Sequence, residues 1–191
     1  VGLRHLRHLR QLTNADVPEL DGRTFRLEAK VAGLRIGVGA AGDFLACKRI
    51  AVTGVSRTPA GHGSNAVYRR LKARGYDVVP INPSTDRVEG DPCYPDLHAV
   101  PGGVEAVVIG TRPEHAETTM RECVELGIPQ VWMHRLTGTG SVSESAAAYG
   151  REHGITVLEG GCPLMFGPTS DPGHRLMCWF ATRRGAVPRQ V

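Results

Sequence analysis

The chain has 191 residues, 41% of them hydrophobic and 22% charged, which suits one domain with a sizeable core and some tail left over. A formal charge of +4 is too mild to argue for nucleic acid without a concentrated basic patch, and aromatic residues at 5% are too scarce for base-stacking platforms. No apolar run is long enough to span a bilayer, and the five cysteines form neither a C-x-x-C pair nor a metal-type spacing, the usage expected of reduced thiols in a cytoplasmic protein.

Residues 1–42 read as a basic N-terminal extension. Leu3, Leu6, Leu9 and Leu12 alternate with Arg4, Arg7, Arg10, His5 and His8 at a spacing of three, which drifts around an α-helix instead of holding one face. A fraying basic helix is the plain reading; contact with a membrane surface or an anionic partner, or a transit-like peptide, are the functional ones. Between Thr24 and Val38, Phe25, Leu27, Ala29 and Val31 are set against Arg26, Glu28 and Lys30, as in an added edge strand. The chain opens on Val where Met is expected, so a fragment, a processed product and a misassigned start all remain open.

The core is expected over residues 43–163. Asp43 is a candidate cap for a short helical turn carrying Phe44 and Leu45. Arg49 to Val55 is rich in Ile and Val, the pattern of a parallel strand buried on both faces. Its exit, Gly54 to Ser64, holds three glycines, three hydroxyl side chains, a proline and Arg57, and feeds a helix with Val67 and Leu71 four apart. Ser64 or Asn65 can cap that helix, and Gly75 suits the left-handed position that ends it. The unpartnered N–H groups at such a helix start, with the positive end of its dipole, favour a phosphate, so Gly54, Val55, Ser56, Arg57 and Ser64 are candidate ligand contacts. The loop keeps only the first glycine of the dinucleotide fingerprint G-x-G-x-x-G. Tyr76 to Ile81 forms the second strand, whose end, Pro80-Ile81-Asn82-Pro83, lacks the acidic residue that would hold the ribose of NAD. Pro80 is tolerated at the carboxyl end of the strand, where Asn82 can bond an adenosine ribose or base or, with Pro83, simply make a turn.

Residues 84–104 read as a linker with one short turn near Leu97. Glu105 to Gly110 is the third strand; it exits through Thr111, Arg112 and Pro113 into a helix whose buried side carries Met120, Val124 and Leu126. Arg112 stands where a guanidinium can grip a phosphate or pair with a neighbouring glutamate. Gln130 to His134 is the fourth strand, Arg135 to Gly140 a glycine-rich loop, Ser143 to His153 a helix, and Ile155 to Leu158 the fifth strand. The arrangement is an α/β, Rossmann-like doubly wound parallel sheet of about five strands, order 3-2-1-4-5. Its crevice lies between strands one and four, with His134 facing it near Ser56 as a packed, solvated or ligand-binding side chain. In the tail, residues 164–191, the stretch 171–184 reads as a C-terminal helix with apolar residues around much of its circumference, fit to lie back on the sheet or to form a homodimer.

Four pieces together, Ile50-Ala51-Val52-Thr53-Gly54-Val55-Ser56-Arg57, Gly75-Tyr76 through Val79-Pro80-Ile81-Asn82-Pro83, Val131-Trp132-Met133 and Cys162-Pro163, resemble the small CoA-binding proteins. Their Rossmann-like fold is shared with the nucleotide-binding domain of the succinyl-CoA synthetase α subunit. The resemblance covers roughly residues 43–163 and rests on the order and spacing of motifs that are individually weak. It implies coenzyme A as a small-molecule nucleotide ligand and no chemistry from the binding domain alone. The synthetase's phosphorylated histidine and ATP-handling parts lie in domains this chain lacks. No G-x-S-x-G elbow, P-loop lysine motif or metal cluster is present in the sequence. A non-catalytic binding or regulatory module follows. The alternatives are an NADP-type oxidoreductase in which Arg57 or Arg112 takes the ribose phosphate, and an interaction protein with a vestigial nucleotide site.

Overall fold

The computed structural model describes residues 39–58, 63–135 and 140–166, together with Gly173 and Leu176. The chain divides after Arg35, and everything described belongs to the unit Ile36–Val191. The expected N-terminal helix and edge strand lie outside the described residues, as do most of the Arg135 to Gly140 loop and of the expected C-terminal helix.

A helix, α1, covers residues 39–46 and leads into β1, Arg49–Thr53. Asp43 therefore lies within the helix and does not cap it. Then come α2 (Gly63–Ala73), β2 (Asp77–Ile81), a two-stranded ribbon of β3 (Arg87–Val88) and β4 (Asp91–Pro92), and β5 (Ala106–Ile109). They are followed by α3 (Pro113–Glu125), β6 (Gln130–Met133), α4 (Glu144–Glu152), β7 (Thr156–Glu159) and a single 3-10 turn, Pro163–Met165. Several boundaries follow from capping chemistry. Gly75, at φ 87°, takes the left-handed position past α2. Pro113 opens α3, where its missing N–H costs nothing, and the Ser143 hydroxyl accepts from the Ala146 N–H to cap α4.

All five long strands are parallel, the doubly wound sheet expected, but their order is β2-β1-β5-β6-β7. Counted along the chain this is 2-1-3-4-5 and not 3-2-1-4-5: the third strand pairs with the first, Ile50 opposite Ala106 and Val52 opposite Val108. The reason is visible in β2. An interior strand donates N–H groups to neighbours on both sides, and Pro80 removes one, so the strand belongs at an edge. β5, with every residue at 1% exposure or less, belongs inside.

Side chains alternate across the sheet with the two-residue strand period. Ile50, Val52, Val108 and Trp132 face α1 and α2, while Ala51, Val107, Ile109, Val131 and Met133 face α3 and α4. Trp132 anchors the first layer edge-on to Phe44 at 5.3 Å, and its buried indole N–H donates to the Gly160 carbonyl at 2.9 Å, so no donor is left orphaned. The inner side of α3 is Ala116, Thr119, Met120 and Cys123; Leu126, expected inside, is 42% exposed because it caps the C-terminus and has left the buried stripe. The ribbon within residues 84–104 was not expected. Two residues per strand leave no periodicity to detect, and its turn uses Glu89 at φ 51° with Gly90 at φ 90°, the primed hairpin geometry.

Candidate functional site

Because β1 and β5 are neighbours, the point where the sheet reverses its winding lies between them, and that is where open α/β sheets bind ligands. Two glycines meet there. Gly54 has φ 74°, and a Cβ on it would stand 2.6 Å from the Gly110 carbonyl oxygen. A Cβ on Gly110 would collide with Ser64 Oγ and stand 2.6 Å from the Thr53 carbonyl. The exits of the two strands are thus packed backbone against backbone. Short hydrogen bonds tie them: the Gly110 N–H donates to Thr53 Oγ1 at 3.1 Å and the Ser64 hydroxyl to the Gly110 carbonyl at 2.9 Å.

The loop after β1 is held by two asparagines. Asn65, fully buried in the first turn of α2, accepts from the Ser56 N–H at 2.8 Å and donates back to the Ser56 carbonyl at 2.9 Å. Asn82, just past β2, donates to the Val55 carbonyl at 2.6 Å and accepts from the Ser84 N–H at 2.8 Å. Neither Ser64 nor Asn65 spends its side chain as a helix cap; both fasten loops. The N–H groups of Val55 and Arg57, past the end of the β1–β2 ladder, meet no acceptor among the described residues.

A cavity of about 570 Å³ opens beside this loop, within the roughly 300–1,000 Å³ usual for small-molecule sites. The crossover from β2 to β5 carries no helix, and its segment around Pro95 and Asp96 lines the cavity on the same face of the sheet as α3. Of the residues expected at the site, Gly54, Val55, Ser56, Asn82, Pro83 and Thr111 line it. Thr111 Oγ1 is buried without a hydrogen-bond partner. The far wall is His115, Thr118, Thr119 and Glu122 of α3. Glu122 accepts from the Leu97 N–H at 3.1 Å and Asp96 from the Ala99 N–H at 2.9 Å, so both carboxylates brace the covering segment. Sequence reasoning did not find this wall, since nothing in helical periodicity says which residues of α3 lie above the buried stripe.

The other expected residues stand elsewhere. Arg57 is exposed beside Ser56 and forms no ion pair with a described residue. Arg112 is 83% exposed and 3.7 Å from Glu114, the surface pairing weighed as its alternative. Ser64 and Pro80 are buried behind the loop and in β2, and Pro113 starts α3. His134 is not among the residues lining the cavity; its ring is against Gly63, in the first turn of α2, with Cε1 3.5 Å from where a Cβ would stand. Burial pushes its pKa below the ordinary imidazole value, which favours the neutral ring. Among the described residues no cluster of His, Cys, Asp and Glu is arranged to hold a metal ion, and no helix is long and apolar enough to cross a membrane.

Residues 48–168, the strands, the loop and the cavity walls together, match the family model for the CoA binding domain. The chain belongs to the CoA binding domain family. Within it, the chain is 31% identical over 111 residues to the uncharacterised protein YneT of Bacillus subtilis, covering 58% of this chain and 78% of that one. It is 28% identical over 153 residues to acetate–CoA ligase (ADP-forming) II of Archaeoglobus fulgidus, covering 75% of this chain and 21% of the ligase, so it spans about a fifth of that enzyme. Among solved structures it is similar to a hypothetical protein of Pyrococcus horikoshii, at 27% identity and a TM-score of 0.59, covering 64% of this chain and 84% of that one.

Proposed function

We propose that this CoA binding domain protein binds coenzyme A, free or acylated, with the diphosphate seated on the loop after β1, and that it acts as a binding or regulatory module. The observation that carries the reading is the pair of N–H groups on Val55 and Arg57, without acceptors among the described residues, at the mouth of a cavity at the sheet's winding reversal. Gly54 lets an anion approach the backbone where a side chain would block it. Arg57 supplies a positive charge at the rim. The residues fit such a ligand: hydroxyl and amide groups of Thr111, Thr118, Thr119 and Asn82 face an uncharged, hydrogen-bonding chain better than a bare hydrocarbon. The absence of an acidic residue after β2 removes the usual partner of the NAD ribose.

Calorimetric titration with CoA, dephospho-CoA, desulfo-CoA and NADPH tests this. Saturable binding of CoA and desulfo-CoA with little response to NADPH is expected, because the thiol has no partner role in the proposal. Preference for NADPH would transfer the site to the oxidoreductase reading, and indifference to all four would end the proposal.

A further inference from the structure

We propose that Glu89 is a positioning residue for the ligand loop, its carboxylate fixing the Asn65 amide that in turn holds the Ser56 peptide. The binding part of this inference rests on the CoA reading of the loop; the structural part does not. Glu89 sits at the tip of the β3–β4 ribbon, 24 residues along the chain from Asn65. It is the one non-glycine residue with positive φ among the described residues, at 51°. An L residue holds that conformation at a cost, and such residues cluster where the surroundings need a side chain at that point.

The need is set by Asn65. Its side chain is fully buried and has one acceptor oxygen and two donor hydrogens to satisfy. The oxygen takes the Ser56 N–H, one hydrogen goes to the Ser56 carbonyl, and the second goes to Glu89 Oε1 at 2.9 Å. A flipped amide would turn its oxygen toward both the carboxylate and the Ser56 carbonyl and its NH₂ toward the Ser56 N–H, three repulsive contacts at once. Glu89 therefore reinforces the amide orientation that engages the N–H and the carbonyl of Ser56, and supplies the acceptor that the second amide hydrogen needs. Arg69, with Nη1 3.5 Å from Glu89 Oε1, balances the carboxylate so that it tolerates a neighbouring anion. The ribbon does not depend on Glu89 for its own docking: Asp91, two residues on, is bonded to the Tyr68 hydroxyl and to Lys72 on the same face of α2. With Ser56 held, the flanking N–H groups of Val55 and Arg57, which meet no acceptor among the described residues, keep their place beside it.

Two variants separate positioning from mere turn structure. Glycine suits both central positions of a primed hairpin turn, so in Glu89→Gly the relieved backbone offsets the cost of the unpaired Asn65 donor and the fold should stay intact, with a melting temperature close to wild type. Glu89→Gln keeps an acceptor oxygen in place. Amide hydrogen exchange at Ser56, measured by NMR without ligand, should accelerate about tenfold in Glu89→Gly and return toward the wild-type rate in Glu89→Gln. CoA dissociation constants should follow the same pattern, about tenfold weaker and then restored. Unchanged Ser56 exchange in Glu89→Gly would overturn the inference, and wild-type CoA affinity in that variant would do so independently. Accelerated Ser56 exchange in a protein that binds no CoA at all would leave Glu89 as the loop's positioning residue and remove the ligand reading instead.

Discussion

Replacing Gly54 by alanine probes the backbone contact on which the site is built. Two penalties add. An alanine at φ 74° pays for left-handed backbone about 1–2 kcal/mol. Its Cβ would also stand 2.6 Å from the Gly110 carbonyl oxygen and 2.9 Å from the Thr111 N, both rigid main chain, which overpacks the joint for about 1–3 kcal/mol more. The sum, about 2–5 kcal/mol, is a large part of a typical stability of about 5–15 kcal/mol, and it should lower the melting temperature by roughly 4–20 °C. Gly75→Ala is the control, because φ is 87° there but nothing lies within 4 Å of the added methyl. It should cost only the conformational part, and the effect of glycine on the unfolded chain is common to both variants. Urea denaturation of the two side by side isolates the contact between the β1 and β5 exits. Equal losses at Gly54 and Gly75 would refute the claim that these strand ends are packed backbone to backbone.

Three further outcomes are expected. Gly42 is exposed within α1 with open space around it, so Gly42→Ala should stabilise the protein by about 0.5–1 kcal/mol, read from the urea midpoint. Burial holds the His134 pKa below its ordinary value, so the unfolded chain binds the proton more readily and stability falls as pH drops below about 6.5. That stability is whole above the unfolded value and is lost through the folded one; urea denaturation at pH 7.5 and 5.5 should show a smaller pH dependence in His134→Asn, and an identical dependence would contradict the burial argument. Arg57→Ala should weaken CoA binding by about 1–3 kcal/mol if its guanidinium contacts a phosphate, whereas Arg112→Ala should cost less than about 0.5 kcal/mol because Arg112 is exposed and already beside Glu114. Calorimetry on both variants decides between them.

What could be read from sequence divides along physical lines. Strands with Ile and Val runs, the glycine ending α2, the proline opening α3 and the serine capping α4 are local signals, and each element stands where those residues place it. Strand order is not local. Pro80 is tolerable at a strand end, yet its missing N–H also carries the information that β2 is an edge, which sets β5 beside β1. The glycine loop was legible as a loop, but not the way it is fastened, because Asn65 and Asn82 act across the tertiary fold on Ser56 and Val55. Asn65 looked like a helix cap since caps and loop clamps use the same side chain. Thr119 and Glu122 carried no sequence signal at all, as they line the cavity where the β2 to β5 crossover, which has no helix, packs beside α3.

The central claim is that main-chain N–H groups, not a reactive side chain, receive the ligand's diphosphate. It is tested most directly by titrating ¹⁵N-labelled protein with CoA and following the backbone amide resonances. Saturable shifts concentrated at Gly54, Val55 and Arg57, with smaller ones at Thr111 and along the exposed side of α3, are predicted. Saturation with those three amides unmoved, or shifts confined to residues remote from the β1 and β5 exits, would contradict it.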